Sequence, residues 1–344
     1  MGVTIYDIAR EANVGVGTVS RVLNNHPSVS DSTREHVLKI ARGLDYSPNA
    51  SAQRLARRKS KTITAIMPYI TNNFFVELLS GVQDRLFEDD YDLLLYGVNH
   101  PKQIDNYLQR SLRAGHSDGM LIASIDLPAD YTRIYLKNNF PIILVDRYHE
   151  FFDCFYIENS AGACTATRYL ISLGHTRIAM ITGFPESTPS RERSHGYQQA
   201  IAEYSFVHDI GVFSPERETH NDGFTRNAGH EVMSRLLHRP ESERPTAVFI
   251  ASDIQAIGAL HAIKEAGLRC PDDISIVSFD DIELARYYDL TTMRQPIRKL
   301  GELATERLFE RLEMPELEPA HRCFTPELII RHTAGPPPSG SLNT

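Results

Sequence analysis

The residues best placed to do chemistry lie just beyond hydrophobic runs that read as strands. Asp146 and Arg147 follow Pro141–Val145, Ser252 and Asp253 follow Ala247–Ala251, and Asp280 follows Ile274–Phe279. Carboxylates beside an Arg suit a ligand with several hydroxyls, because a hydroxyl both donates and accepts. Phe75 and Phe224 offer apolar faces of the kind a sugar ring or a base needs, and Arg193 opens a helix beyond the Arg177–Thr182 run. Each position also has a purely structural counterpart. The two Phe suit a core, Asp253 and Asp280 suit helix N-caps, and Arg147 suits an internal ion pair. Catalysis finds no support in the same residues. There is neither a Gly-x-x-x-x-Gly-Lys phosphate loop nor a Gly-x-Ser-x-Gly elbow. His230-Glu231 begins a zinc-protease-like string, but the fourth residue on is Ser234, and the fourteen His show no ligand spacing. No catalytic residue, metal or cofactor is therefore expected.

The elements that must hold these residues alternate. Strand-like runs at Ile63–Tyr69, Asp92–Val98, Gly119–Ala123, Pro141–Val145, Arg177–Thr182, Ala247–Ala251 and Ile274–Phe279 are mostly separated by helical patterns. Those patterns are Phe74–Glu88, Gln103–Arg113, Ala161–Leu173, Glu192–Tyr204, Asn227–Leu237 and Ile254–Ala266. Strand, helix, strand at this spacing predicts parallel sheet. The series restarts at Ser160, which predicts two doubly wound lobes with a cleft at the strand C-termini. A helix at Arg298–Leu312 and a strand at Phe324–Ile330 close the body. Residues 334–344, rich in Pro and Gly, read as a flexible tail.

Ahead of this α/β body stands an all-α head. Ile5, Ile8, Ala9 and Ala12 share one face of a first helix, Ile5–Asn13, with Thr4 at its start. Asn13-Val14-Gly15 breaks it, and a second helix follows over Gly17–Asn24. The third opens at Ser30 and ends near Asp45. Helix, short Gly-containing turn and helix make a helix-turn-helix, whose second helix fits the major groove of duplex DNA. Val16, Gly17, Ser20 and Arg21 would face base edges, and Arg21 can pair with a guanine. Thr4, Ser30 and Thr33 lie at helix starts, where free N–H groups meet phosphates. Gly15-Val16-Gly17-Thr18-Val19-Ser20 echoes a dinucleotide-binding fingerprint, but it lacks the third Gly and a preceding strand.

Charge divides along the same line. The net charge of the 344 residues is −8, yet residues 1–61 hold ten Lys/Arg against five Asp/Glu, or +5. A basic head on an acidic body points the head at a polyanion. Cys154, Cys164, Cys270 and Cys323 form no Cys-x-x-Cys pair, which favours free thiols in a reducing compartment. Neither a secretory leader nor a membrane-spanning run is evident, so a cytoplasmic location is expected.

Taken together, Thr4-Ile5-Tyr6-Asp7-Ile8-Ala9, Val14–Asn24 and Tyr46-Ser47-Pro48-Asn49-Ala50 resemble the head of the lactose-repressor (LacI/GalR) family. Val145-Asp146-Arg147, Leu173-Gly174-His175-Thr176-Arg177-Ile178, Ser252-Asp253 and Phe279-Asp280-Asp281 resemble its body, in the same order. The resemblance implies a helix-turn-helix domain over 1–48, a hinge helix over 49–61 and a two-lobed periplasmic-binding-protein-like body over 62–333. It places the N-lobe at 62–159 plus 292–320 and the C-lobe at 160–291 plus 321–333. A homodimer on a pseudo-palindromic double-stranded operator is implied, with no membrane partner, and the stretches Phe74–Glu88 and Asp92–Val98 lie at the dimer interface. DNA contacts carry over to Thr4, Tyr6, Val16, Gly17, Thr18, Ser20, Arg21, Asn24, Ser30, Thr33, Tyr46, Asn49, Ala52, Gln53 and Leu55, the last as a minor-groove wedge. Effector contacts carry over to Phe75, Asp146, Arg147, Arg193, Phe224, Ser252, Asp253 and Asp280.

The expected function is a transcriptional repressor whose effector is a sugar. The alternatives are a regulator driven by a protein co-regulator with a vestigial cleft, or a solute-binding receptor. Asn73 stands where many members have Pro, and Pro189 where others have a small or hydroxyl residue. Effector identity, operator sequence and the sign of control stay open on sequence grounds.

Overall fold

A computed structural model of the chain describes residues 3–46, 60–100, 102–113, 115–216 and 221–338. The chain divides into two compact units, Met1–Ser60 and Lys61–Thr344. The hinge segment, with Asn49, Ala52, Gln53 and Leu55, lies outside the described residues.

The first unit holds α1 (Ile5–Glu11), α2 (Val16–Leu23) and α3 (Asp31–Gly43). Helices this short are marginal alone in water. They persist because Ile8, Ala9, Ala12, Val19, Val22, Val37 and Ala41 close into one small core. Their starts are capped locally. Thr4 N–H and Oγ1–H both donate to Asp7 Oδ2, at 2.9 and 2.7 Å, and Ser30 Oγ accepts from Thr33 N–H.

The second unit holds two six-stranded sheets. Its first half runs β1 (Thr62–Pro68), α4 (Asn73–Glu88), β2 (Asp92–Val98), α5 (Lys102–Ser111), β3 (Gly119–Ala123), α6 (Ala129–Lys137), β4 (Ile142–Val145) and β5 (Asp153–Ile157). Then follow α7 (Asn159–Ser172), β6 (Arg177–Ile181), α8 (Thr188–Ala202), β7 (His208–Phe213), α9 (Arg226–Leu237), β8 (Ala247–Ile250), α10 (Asp253–Glu265) and β9 (Ser275–Asp280). The chain ends through α11 (Glu283–Tyr287), β10 (Thr292–Arg294), α12 (Ile297–Glu313), β11 (His321–Phe324) and β12 (Glu327–Ile329). Strand order is β11-β5-β4-β3-β1-β2 in one sheet and β12-β10-β9-β8-β6-β7 in the other. All pairings are parallel except β10 with β12. Strands β3, β4, β8 and β9 are buried along their whole length, as sheets covered by helices on both faces require. In each sheet the order reverses beside its first strand, at β1/β3 and β6/β8, which opens a crevice at the strand C-termini.

The expected lobe boundaries need correction. Thr292–Arg294 pairs with β9 and belongs to the second sheet, while His321–Phe324 pairs with β5 and belongs to the first. Periodicity cannot say which sheet a strand of three or four residues joins. The tail also differs from expectation. The Gly335 carbonyl lies 2.8 Å from His175 Nε2 and accepts from Ser275 Oγ–H at 3.0 Å, so the chain is fixed to the second lobe at that point. Several elements went unread in the sequence. β5 opens on Asp153, a buried carboxylate that accepts from Arg307, Arg311 and the Ala320 N–H, so its ladder starts on a charge. β7 is a partly exposed edge strand interrupted by Gly211.

Candidate functional site

In the head, the predicted contact residues divide by exposure. Thr4, Tyr6, Gly17, Arg21, Asn24 and Ser30 are exposed, and Thr18, Ser20 and Thr33 are half-buried. A Cβ added at Gly17 would meet nothing within 4 Å, so this turn of α2 presents bare backbone. Arg21 has no ion-pair partner among the described residues. Val16 and Tyr46 turn partly inward, against the small core, so each has a packing role beside any contact.

In the body, a cleft lies at the C-terminal ends of the strands of both sheets. Seven of the eight expected effector residues line it: Phe75, Asp146, Arg147, Arg193, Phe224, Ser252 and Asp280. On the first-lobe wall, Ser124 and Asp146 close β3 and β4 in the left-handed region, at φ 53° and 57°. This backbone is costly for non-Gly residues and is held by its surroundings. Ser124 Oγ–H donates to Asp146 Oδ2 at 2.6 Å. Arg147 is held by the carbonyls of Asp146 (2.6 Å) and Ser124 (3.1 Å) and by Asp126 Oδ1 (3.1 Å). Phe75 is buried and meets Phe74 edge-to-face.

The second-lobe wall is drier. Arg193, 5% exposed, donates to Asn159 Oδ1 (2.8 Å), the Ala251 carbonyl (2.5 Å) and Asp280 Oδ1 (3.3 Å), and it stacks over the Phe279 ring. Gln295 Nε2–H also donates to Asp280 Oδ1, at 2.6 Å. Burial pushes the Asp280 carboxyl up to about 7, against the opposing pull of Arg193 and Gln295. Its backbone is strained as well, with φ at 116°. Asp280 is not an N-cap, since Ile282 occupies that position for α11.

Asp253 is the exception. It is fully buried, and its carboxylate accepts from Ser278 Oγ–H (2.5 Å), Thr292 Oγ1–H (2.7 Å) and Ile282 N–H (2.9 Å). It knits β9, β10 and the approach to α11 together and does not line the cleft. Burial and the nearby Asp280 push its pKa up. The cap of α10 is Ser252, whose Oγ accepts from Gln255 N–H.

Further cleft-lining positions were not predicted as contacts, although Asn72 belongs to the Asn72-Asn73-Phe74-Phe75 stretch that resembles the family. Tyr69, Asn72, Ser187, Asn221, Asp222 and Ile254 also line the cleft. Burial raises the Asp222 pKa while the Arg147 charge opposes it from the facing wall. Gln255 fixes the Asn221–Phe224 turn, because its Nε2 donates to the Thr182 and Gly223 carbonyls, both at 3.0 Å. Asn73 does not line this cleft, whereas Pro189 does. Among the described residues, polar contacts that join the lobes include Glu77 Oε1, which accepts from Glu283 N–H (2.8 Å), and Tyr69 Oη, which lies 3.5 Å from Asp222.

Comparison with known proteins agrees with both halves. Residues 4–49 match the bacterial regulatory proteins of the lacI family, and residues 167–334 match the periplasmic binding protein-like domain. The chain is 32% identical to the HTH-type transcriptional repressor PurR of Aliivibrio fischeri (strain MJ11), over 95% of this chain and 97% of that one. It is 36% identical to the ribose operon repressor of Haemophilus influenzae, over 96% and 98%. Its fold is similar to that of the lac repressor dimer bound to operator and the anti-inducer ONPF, with a TM-score of 0.83 at 26% identity, covering 97% of this chain and 100% of that one. With a helix-turn-helix head, a two-lobed body and full-length repressor relatives, the chain belongs to the lacI family of bacterial transcriptional regulators.

Proposed function

We propose that this protein is a homodimeric repressor, acting in the cytoplasm, whose grip on operator DNA is set by a sugar held between the lobes of its body. The observation that carries the reading is the pairing of charges across the cleft. Asp146 with Arg147 faces Arg193 with Asp280, and Phe75 and Phe224 flank them. Such walls offer donors, acceptors and apolar faces together, which is what a ring bearing hydroxyls needs. The charged and aromatic side chains that line the cleft favour a bound ligand over a vestigial cleft. The resemblance to ribose operon repressors supports a pentose first, and the resemblance to PurR makes purines the comparison to run.

DNA contact is assigned to the exposed face around Gly17, Ser20 and Arg21, to the helix starts at Thr4, Ser30 and Thr33, and to Tyr6, Thr18 and Asn24. Asn49, Ala52, Gln53 and Leu55 supply the hinge contacts. The exposed Val76 and Phe87 of α4 give the partner subunit an apolar surface. Sugar binding changes lobe closure, which the Glu77 and Tyr69 contacts monitor, and closure relieves repression. Coupling of this kind is typically about 1–3 kcal/mol and acts equally in both directions. No helix among the described residues is long and apolar enough to cross a membrane.

The test is calorimetry of the full chain against D-ribose, other pentoses and hexoses, hypoxanthine and guanine, followed by footprinting of promoter fragments with the ligand that binds. One sugar should bind and weaken the footprint. Binding of a purine alone overturns the ligand class, and the absence of any footprint at low ionic strength overturns the repressor. Arg21→Ala should weaken specific DNA binding by roughly 1–3 kcal/mol and leave ligand binding unchanged.

A further inference from the structure

On the outer face of the second lobe, away from the cleft lining, three ligand-type side chains converge. His230 stands on α9, and His261 and Glu265 stand one turn apart on α10. His230 Nε2 is 2.6 Å from Glu265 Oε2, and His261 Nδ1 is 3.6 Å from Glu265 Oε1. One nitrogen or oxygen of each residue falls within 4.8 Å of the others, and the two imidazole rings lie 5.5 Å apart. From these positions we infer that the protein binds one divalent transition-metal ion of the zinc class at His230, His261 and Glu265.

The helix packing explains why the three residues meet. A Cβ at Gly229 would stand 1.9 Å from the Gln255 carbonyl oxygen, and one at Gly258 would stand 1.9 Å from that of Arg226. Glycine at both positions lets α9 and α10 cross with their backbones in contact. His230 follows Gly229 directly, and His261 lies three residues, about one turn, after Gly258, so both imidazoles emerge beside the crossing. The close crossing sets the spacing of the two backbones, and so of the three side chains' points of attachment.

Two imidazoles and one carboxylate form a three-ligand set that zinc accepts, with a water in the fourth position. Bonds of about 2.0–2.2 Å put tetrahedral ligands roughly 3.3 Å apart. The observed separations bracket that value, and the half-exposed side chains can rotate to reach it. An imidazole and carboxylate set favours zinc, nickel or copper(II) over magnesium, which prefers oxygen ligands and keeps its waters. Arg226 and Lys264 line the same hollow. Their positive charge opposes a bound cation and so weakens the expected affinity.

The site has a bearing on the cleft. Thr225, which caps α9, follows the cleft residue Phe224, and Ser252, which caps α10, is itself a cleft residue. A metal clamp across the two helices therefore ties together the elements that present half of the second-lobe wall. The sequence hid the site because its ligands come from two helices. The string that starts at His230 is completed by the neighbouring helix and not by its own fourth residue on.

The test is calorimetric titration of the full chain with zinc chloride, alongside His230→Ala, His261→Ala and a magnesium control. One zinc should bind per chain, its affinity should fall at least tenfold in each variant, and magnesium should give no saturable heat. His261 is exposed, so His261→Gln supplies a second variant whose metal-free unfolding should match the unsubstituted chain. No saturable zinc binding, or binding as strong in the His230 and His261 variants as in the unsubstituted chain, overturns the proposal.

Discussion

The two walls of the cleft carry the same pair of charges, built in different ways. On the first lobe Asp146 and Arg147 are consecutive, and the guanidinium is fastened to backbone carbonyls and to the exposed Asp126. On the second lobe Arg193 and Asp280 are 87 residues apart, nearly dry, and joined to Asn159, Gln295 and Phe279. The first pair can meet a ligand without the lobe depending on it. The second belongs to the interior that holds α8, β8 and β9 together. Substitutions on the first wall should therefore affect binding, and substitutions on the second should affect binding and stability together.

Removing Arg193 is the harshest test. Arg193→Ala leaves the buried acceptors of Asn159, Ala251 and Asp280 without their donor and empties the space over Phe279, so a loss of about 3 kcal/mol is expected in urea unfolding. Effector binding should vanish with it. A variant that keeps its stability to within about 1 kcal/mol would show that the two walls do not differ in kind.

Asp280 sharpens the same contrast through pH. Its carboxyl titrates near 7 in the folded chain against an ordinary value of 3.8. Between those values the folded chain keeps a proton that the unfolded chain releases. The stability linked to this group is whole below about pH 4 and is lost as pH rises through about 7. Between pH 5 and 8 the unsubstituted chain should lose about 2–3 kcal/mol that Asp280→Asn retains. Equal slopes for the two proteins would show that the second wall stores no such cost. Arg147→Ala is the first-wall counterpart. It should weaken the sugar by about 1.5–3 kcal/mol, the worth of a charged hydrogen bond, with little change in unfolding.

These walls also mark what a sequence discloses. Asp146-Arg147 could be read because the pair is contiguous and follows an apolar run. Arg193 and Asp280 could be placed singly, as residues after strands and through family resemblance, but their mutual contact depends on sheet order. Asp253 misled for a related reason. It occupies the same strand-end position as Asp146, yet β10 brings Thr292 over it and closes it off from the cleft. Asn159, Gln255 and Gln295 were invisible, since neutral amides in polar stretches show no periodicity and gain their meaning from partners far along the chain. The lobe boundaries failed at β10 and β11, where strands of three and four residues give too little pattern to choose a sheet.

The smallest expected effect lies where the walls meet. Glu77, on the first lobe, accepts from the Glu283 N–H of the second, and burial raises its pKa while that N–H holds it down. This contact exists only while the lobes are close. Glu77→Ala removes one hydrogen bond from the closed form, worth about 0.5–1.5 kcal/mol, and nothing that touches the ligand, because Glu77 does not line the cleft. Sugar affinity should drop by a few fold, with the loss in the dissociation rate, and Arg147 and Arg193 should keep their relative effects in the Glu77 background. A tenfold or larger loss would place Glu77 in the binding site itself. No change at all would mean that closure does not run through this contact, leaving Tyr69 and Asp222 as the pair that joins the two walls.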